Sequence, residues 1–289
     1  MKTDMLAYAV MPPDFERRFG GLARLYGTAG AQRICQAHIV VVGLGGVGSW
    51  AAEAAARSGV ARLTLVDLDH IAESNINRQV HAVGDTIGMA KVQAMRQRIA
   101  NINPDCRVDC IDDFVAADNW PRVLGFESDF DWKTVAVVDA CDQVKAKTAM
   151  VAWAIKSKAT FISVGAAGGK RMAHKVDIDD LSLVTHDPLL AQMRNRLRKE
   201  HGAERDKKNI GVACVFSREA VMQPGAAAAL AHNEATVARQ QGDALPDVLL
   251  DPRSDATLNC HGYGSVVTVT STFGMCAAGW VLGQIAESA

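Results

Sequence analysis

The chain has 289 residues, 49% of them hydrophobic, which is enough for a full core and excludes a small scaffold that needs stapling. A formal net charge of −1 excludes a global positive field that draws in nucleic acid, so any RNA contact has to come from a local basic patch. The seven cysteines (Cys35, Cys106, Cys110, Cys141, Cys214, Cys260 and Cys276) form no CxxC pair, which excludes a zinc site of the CxxC…CxxC kind; with no secretory leader at the start, reduced thiols and a cytoplasmic location are expected.

Residues 1–35 read as an N-terminal helical segment. Residues 38–43 (HIVVVG) are a short apolar run ending in glycine, the mark of a buried strand. Alanine-rich residues 49–58 predict a helix, and residues 62–66 (RLTLV) a second strand ending at Asp67. Strand, glycine turn, helix, strand is a βαβ unit and implies a parallel sheet. The alternation continues with a helix over 88–101 stopped by Asn103-Pro104, strands over 106–111 and 134–138, a helix over 145–156, and a strand over 160–164 leading into Gly165-Ala-Ala-Gly-Gly169. The expected fold is α/β: a Rossmann-like, doubly wound, mostly parallel sheet over 36–170.

Residues 171–289 read as a C-terminal part packed on the same core. In it, 186–210 is basic and reads as flexible, 210–216 (IGVACVF) as a strand, and 232–262 as a loop-rich region. Residues 266–285 carry no charge and approach the length of a membrane span. They are rich in Thr, Ser and Gly, and no Lys or Arg cluster flanks them, so they predict a buried helix and no membrane contact.

Four motifs carry chemistry. Gly43-Leu-Gly45-Gly46-Val-Gly48 lies between a strand and a helix, where glycines let the backbone approach a phosphate and the helix start offers free N–H groups. Asp67 stands where a ribose-binding acid belongs, and Asp69 reads equally as a helper or as a solvated turn residue. Asn75-Ile-Asn77-Arg78-Gln79 and Lys91 add two cations, which a dinucleotide does not need and a triphosphate does. Finally, Asp139 and Asp142 follow a buried strand at the ligand edge of the sheet; Asp142 suits either a magnesium ion on the phosphates or a helix N-cap. ATP with Mg2+ is the expected ligand, and an NAD-binding Rossmann protein is the alternative.

The set Gly43–Gly48, Asp67, Asn75, Arg78-Gln79, Lys91 and Asp142 resembles the ubiquitin-activating-enzyme-like adenylyltransferases over about residues 15–170. The resemblance implies ATP on Gly43, Gly45, Gly46 and Gly48, ribose on Asp67, and phosphates on Asn75, Arg78 and Lys91. It also implies the metal on Asp142, with Arg78, Lys91 and Asp142 as the catalytic set. It further implies a homodimer in which an arginine reaches the partner's ATP. Gly21 stands at that arginine's place here, which leaves Arg18 and Arg24 as candidates. The absence of zinc pairs, together with Gly165–Gly169, Gly211-Val-Ala-Cys214-Val-Phe-Ser217 and Gly262-Tyr-Gly264, is similar to the tRNA threonylcarbamoyladenosine dehydratases over nearly the whole chain.

That likeness implies ATP-dependent cyclisation of the threonylcarbamoyl group on an adenosine beside the tRNA anticodon, through an acyl-adenylate. The alternative within the same chemistry is activation of a small sulfur-carrier protein, which would then be the partner. Ring closure within one side chain needs no enzyme nucleophile. Cys214 is the candidate if a thioester forms, and otherwise a small core residue. Arg194, Arg196, Arg198, Lys199, Arg205, Lys207 and Lys208 are the candidate RNA contacts, or a solvated helix face with interspersed acids.

Overall fold

The computed structural model describes residues 14–127, 129–205, 209–222 and 263–288. Seven strands form one sheet in the order β3-β2-β1-β4-β5-β7-β6: β1 His38–Val42, β2 Arg62–Val66, β3 Arg107–Ile111, β4 Val135–Asp139, β5 Thr160–Val164, β6 Val176–Asp180 and β7 Ala213–Ser217. All neighbours pair in parallel except β6 with β7. The helices are α1 Phe15–Phe19, α2 Leu22–Gln36, α3 Gly48–Arg57, α4 Lys91–Ile102, α5 Val144–Ser157, α6 Pro188–Glu200 and α7 Val267–Glu287.

Period-two burial explains why both faces need helices. Ile39 and Val41 of β1 point to one face and pack with Ala51, Ala55, Val92, Met95, Phe273 and Ala277 from α3, α4 and α7. Val40 and Val42 point to the other and pack with Met150, Val151, Leu190, Met193 and Leu197 from α5 and α6. Among the described residues no helix is long and apolar enough to cross a membrane; α7, the expected buried helix, closes the core instead.

The chain order reverses between β1 and β4. Such a switch point leaves a crevice at the carboxyl ends of the two strands, because their following helices leave on opposite faces. The turn after β1 carries Gly43–Gly48 and the turn after β4 carries Asp142, so the topology alone sets two of the motifs side by side.

Several boundaries differ from the sequence expectation. The 88–101 helix starts only at Lys91, because residues 88–90 pair back with residues 70–71 through a His70–Ala90 bridge. Strand β6 (VDIDD) was not expected; its outward-facing acids hide the pattern of an edge strand. Residues 188–200, within the stretch expected to be flexible, form α6, which is capped by Asp187, begins with Pro188, and buries Leu189, Leu190, Met193 and Leu197. The N-terminal segment forms α1 and α2, with non-helical backbone at Gly27; residues 1–13 and the loop-rich 232–262 lie outside the described residues.

Candidate functional site

The glycine loop is built against the turn after β4. Gly43 has a left-handed φ of 84°, and a Cβ there would meet the Ala140 carbonyl oxygen at 2.9 Å and the Cys141 nitrogen at 3.0 Å. A Cβ on Gly48 would fall 1.8 Å from the Gly43 oxygen, so α3 can start this close to the strand end only without a side chain. At Gly45 none of the described residues lies within 4 Å of that position. Gly46 is roofed by the Arg78 stem, with Cγ 3.1 Å and Cδ 3.2 Å from its Cβ position, and by Thr270 of α7.

Asp67 closes the loop from the β2 side. Its Oδ2 accepts the Leu44 N–H at 2.5 Å and its Oδ1 the Asp69 N–H at 2.9 Å. Burial raises its pKa, with Lys91 and the two amides pulling the other way. Lys91, almost fully buried, donates to Asp69 at 2.6 Å and lies 3.5 Å from Asp67. The bridge between residues 70 and 90 explains why a lysine distant in sequence arrives here. Asp69 is thus the nearest partner of Lys91.

The excursion over residues 72–87 presents Arg78. Trp50 of α3 donates its indole N–H to the Arg78 carbonyl at 3.0 Å and pins the backbone. The guanidinium rests on the Ser74 carbonyl at 2.7 Å and on Asn77 Oδ1 at 2.9 Å. Asn77 in turn donates to the Ser265 carbonyl at 3.1 Å, which ties this turn to the start of α7. Asn75 spends its Oδ1 on the Ala72 N–H, at 3.0 Å, and shapes the turn. Gln79 is buried, and among the described residues its Oε1 and both ring nitrogens of buried His81 have no hydrogen-bond partner.

Asp142 is exposed, one residue beyond Cys141, whose nitrogen abuts Gly43. Behind it, Asp139 and Lys147 form an ion pair at 2.9 Å in which both side chains are 0% exposed. Burial alone pushes Lys147 down, but the adjoining Asp139 carboxylate outweighs it and the net shift is upward. Among the described residues no three His, Cys, Asp or Glu side chains gather as a metal cage. One exposed carboxylate fits magnesium nonetheless, since this ion is commonly held by one or two carboxylates plus substrate phosphates.

The remaining candidates separate. Cys214 is wholly buried on β7 among the core residues, and burial pushes its thiol pKa up. Arg18 donates to the Ile102 carbonyl at 2.5 Å and lines a cavity of 720 Å³ between α1 and α4, with Arg57, Arg98 and His81. Arg24 is exposed on α2. Of the basic stretch, Arg194 turns inward to the Leu181 and Val184 carbonyls, Arg196 pairs with Glu200, Arg198 reaches the Glu204 carbonyl, and Lys199 and Arg205 are exposed. Lys207, Lys208, Cys260 and Gly262 lie outside the described residues.

Sequence reasoning missed Trp50 and Lys147 as parts of this architecture, and it gave Asn77 no role of its own within the motif that contains it. Lys147 left one trace: it falls three and four residues before Met150 and Val151 on the apolar face of α5, where a lone cation needs a buried partner.

Comparison with known proteins follows the geometry. A profile of the ThiF family matches residues 19–286. The chain is 38% identical over 281 residues to the tRNA threonylcarbamoyladenosine dehydratase of Escherichia coli (strain K12), covering 97% of each chain. It is 32% identical over 138 residues to the molybdopterin-synthase adenylyltransferase of Salmonella typhimurium, covering 48% of this chain and 52% of that one. The crystal structure of E. coli tRNA N6-threonylcarbamoyladenosine dehydratase in complex with ATP superposes with a TM-score of 0.75 at 37% identity, over 93% of this chain and 94% of that chain.

Proposed function

The chain belongs to the ThiF family, and from that premise we propose that it dehydrates the threonylcarbamoyl side chain of the modified adenosine next to the tRNA anticodon, at the expense of ATP. The observation that carries this reading is the convergence at the switch point. Arg78 covers Gly46, Lys91 reaches Asp67 beneath Leu44, and the turn before Asp142 abuts Gly43. The full-length likeness to a dehydratase selects the substrate, since likeness to a carrier-protein activator covers only 48% of this chain.

The residues are suited to adenylylation. Gly45 leaves backbone open to a phosphate, and Asp67 offers a fixed carboxylate to ribose hydroxyls. Arg78 now holds two neutral acceptors; a phosphate oxygen makes a stronger, charge-assisted bond and displaces them. Lys91 is held back by Asp69 and can turn to a phosphate as the negative charge arrives. Magnesium, when bound with ATP, offsets phosphate charge, and Asp142 would hold it. The substrate carboxylate attacks the α-phosphorus and pyrophosphate leaves; a group of the same side chain then attacks the activated carbonyl, gives up its proton to solvent, closes the ring and expels AMP. The buried Cys214 has no part in this sequence.

Of the basic stretch, Lys199 and Arg205 are exposed and remain the described candidates for RNA phosphates. Arg18 and Arg24, both exposed, are the arginines that would reach a second copy of the chain in a homodimer, Arg18 after exchanging the Ile102 carbonyl for a phosphate. The test is AMP release from ATP by the purified chain with total tRNA, with a sulfur-carrier protein, or with neither. Release that needs tRNA supports the reading; release that needs only the carrier protein replaces it.

A further inference from the structure

The ion pair between Asp139 and Lys147 is closed to solvent, and it is placed against two physical preferences. Both charges are fully desolvated, and replacing such a pair by apolar side chains is often neutral or stabilising. Lys147 also sits in the first turn of α5, where the helix dipole disfavours a cation. What the pair does supply is geometry. Lys147 Nζ donates to the Cys141 carbonyl at 3.0 Å and lies 3.4 Å from the Asp139 carbonyl. Asp139 Oδ1 accepts the Cys141 N–H at 3.3 Å and its thiol at 3.1 Å, while Oδ2 accepts the Ser163 hydroxyl from β5 at 2.7 Å. Both ends of the Cys141 backbone are therefore tied to the pair, and the next residue is Asp142. The same turn packs on Gly43.

We propose that Asp139 and Lys147 are positioning residues that hold the Ala140–Cys141 turn so that the Asp142 carboxylate meets the metal ion on the bound nucleotide. Ser163 locks the Asp139 carboxylate from the neighbouring strand. This inference rests on the reading of Asp142 as the magnesium ligand.

The test uses Mn2+ as the probe, read by electron paramagnetic resonance with the full chain and a non-hydrolysable ATP analogue, so that no turnover is needed. The double variant Asp139→Asn/Lys147→Gln keeps a hydrogen-bonded pair of similar size without charge. Outer contacts of this kind typically change metal affinity by about 10- to 100-fold. The variant is expected to bind Mn2+ at least about tenfold more weakly, with its melting temperature and its metal-free affinity for the analogue close to those of the parent chain. Ser163→Ala keeps the charged pair and the fold, and is expected to weaken Mn2+ by a smaller factor. A folded double variant with parental Mn2+ affinity overturns the proposal; if the double variant does not fold, parental affinity in Ser163→Ala overturns it. If Asp142→Ala itself binds Mn2+ like the parent chain, the metal role of Asp142 fails and the positioning role with it, a result distinct from failure of the pair variants alone.

Discussion

Arg78 is the residue of the proposed site whose loss is expected to read most directly. Arg78 is carried by a turn pinned at Trp50, and its guanidinium is free to exchange neutral acceptors for phosphate. Removing one such preorganised donor costs about 100- to 1,000-fold in kcat in comparable sites, and Arg78→Ala is expected to fall in that range in the tRNA-dependent AMP assay. A kcat within threefold of the parent contradicts the role. Two histidines set a pH response. Burial, helped by Lys91 and Arg98, brings His81 down to about 4; burial, helped by Arg62, brings His38 to about 4 as well. Both folded values lie below the ordinary 6.5, so the unfolded chain takes up protons first as pH falls. Stability is intact above pH 6.5 and is lost on the way down toward 4, by about 2 kcal/mol per histidine between pH 7 and pH 5. Denaturant titrations at the two pH values check this, and His81→Gln should remove about half of the difference. At this scale the glycines, Asp67 and Arg78 were legible as candidates, because a tight turn and phosphate charge restrict residue type, and the structure brings them to one sheet edge. Asp69, read as a helper or a solvated turn residue, is the partner of Lys91; Lys147 was not legible, since its partner arrives through the β4–α5 turn.

Among the elements, α7 connects stability to the site. Its Gly274 lies against α3 so closely that a Cβ would meet the Val47 oxygen at 2.4 Å and the Trp50 Cβ at 2.8 Å. Val47 belongs to the glycine loop and Trp50 holds Arg78, so a side chain here disturbs both. Gly274→Val is expected to destabilise the fold by about 1–3 kcal/mol or more, as overpacking does, and to raise the KM for ATP. Thermal unfolding with steady-state kinetics tests the coupling; a stable variant with unchanged KM would separate α7 from the site. The parallel strands and α3, α5 and α7 were readable from apolar runs and alanine content. Strand β6 escaped because its three aspartates mask an edge strand, and α6 was legible only as an alternative, a solvated helix face, although Asp187, Pro188 and the buried leucines mark a packed helix. Arg194 shows the consequence: a charge counted for RNA is spent on the carbonyls that end the preceding loop.

At the scale of the whole molecule, the reversal of strand order between β1 and β4 explains why residues from 43 to 142 meet at one edge. Fold class follows from sequence alternation, but the meeting of Lys91 with Asp67 requires the folded chain. With a net charge of −1, RNA binding has to depend on few local contacts. Lys199→Gln/Arg205→Gln is therefore expected to weaken tRNA binding and reduce its logarithmic salt slope by about 1–2, leaving ATP affinity unchanged; an unaltered slope moves the RNA site elsewhere. The most direct measurement incubates the chain with ATP, Mg2+ and tRNA bearing threonylcarbamoyladenosine, then compares nucleoside masses with AMP formed. One water lost from that nucleoside for each AMP released is the predicted result; AMP formed with the nucleoside mass unchanged contradicts it.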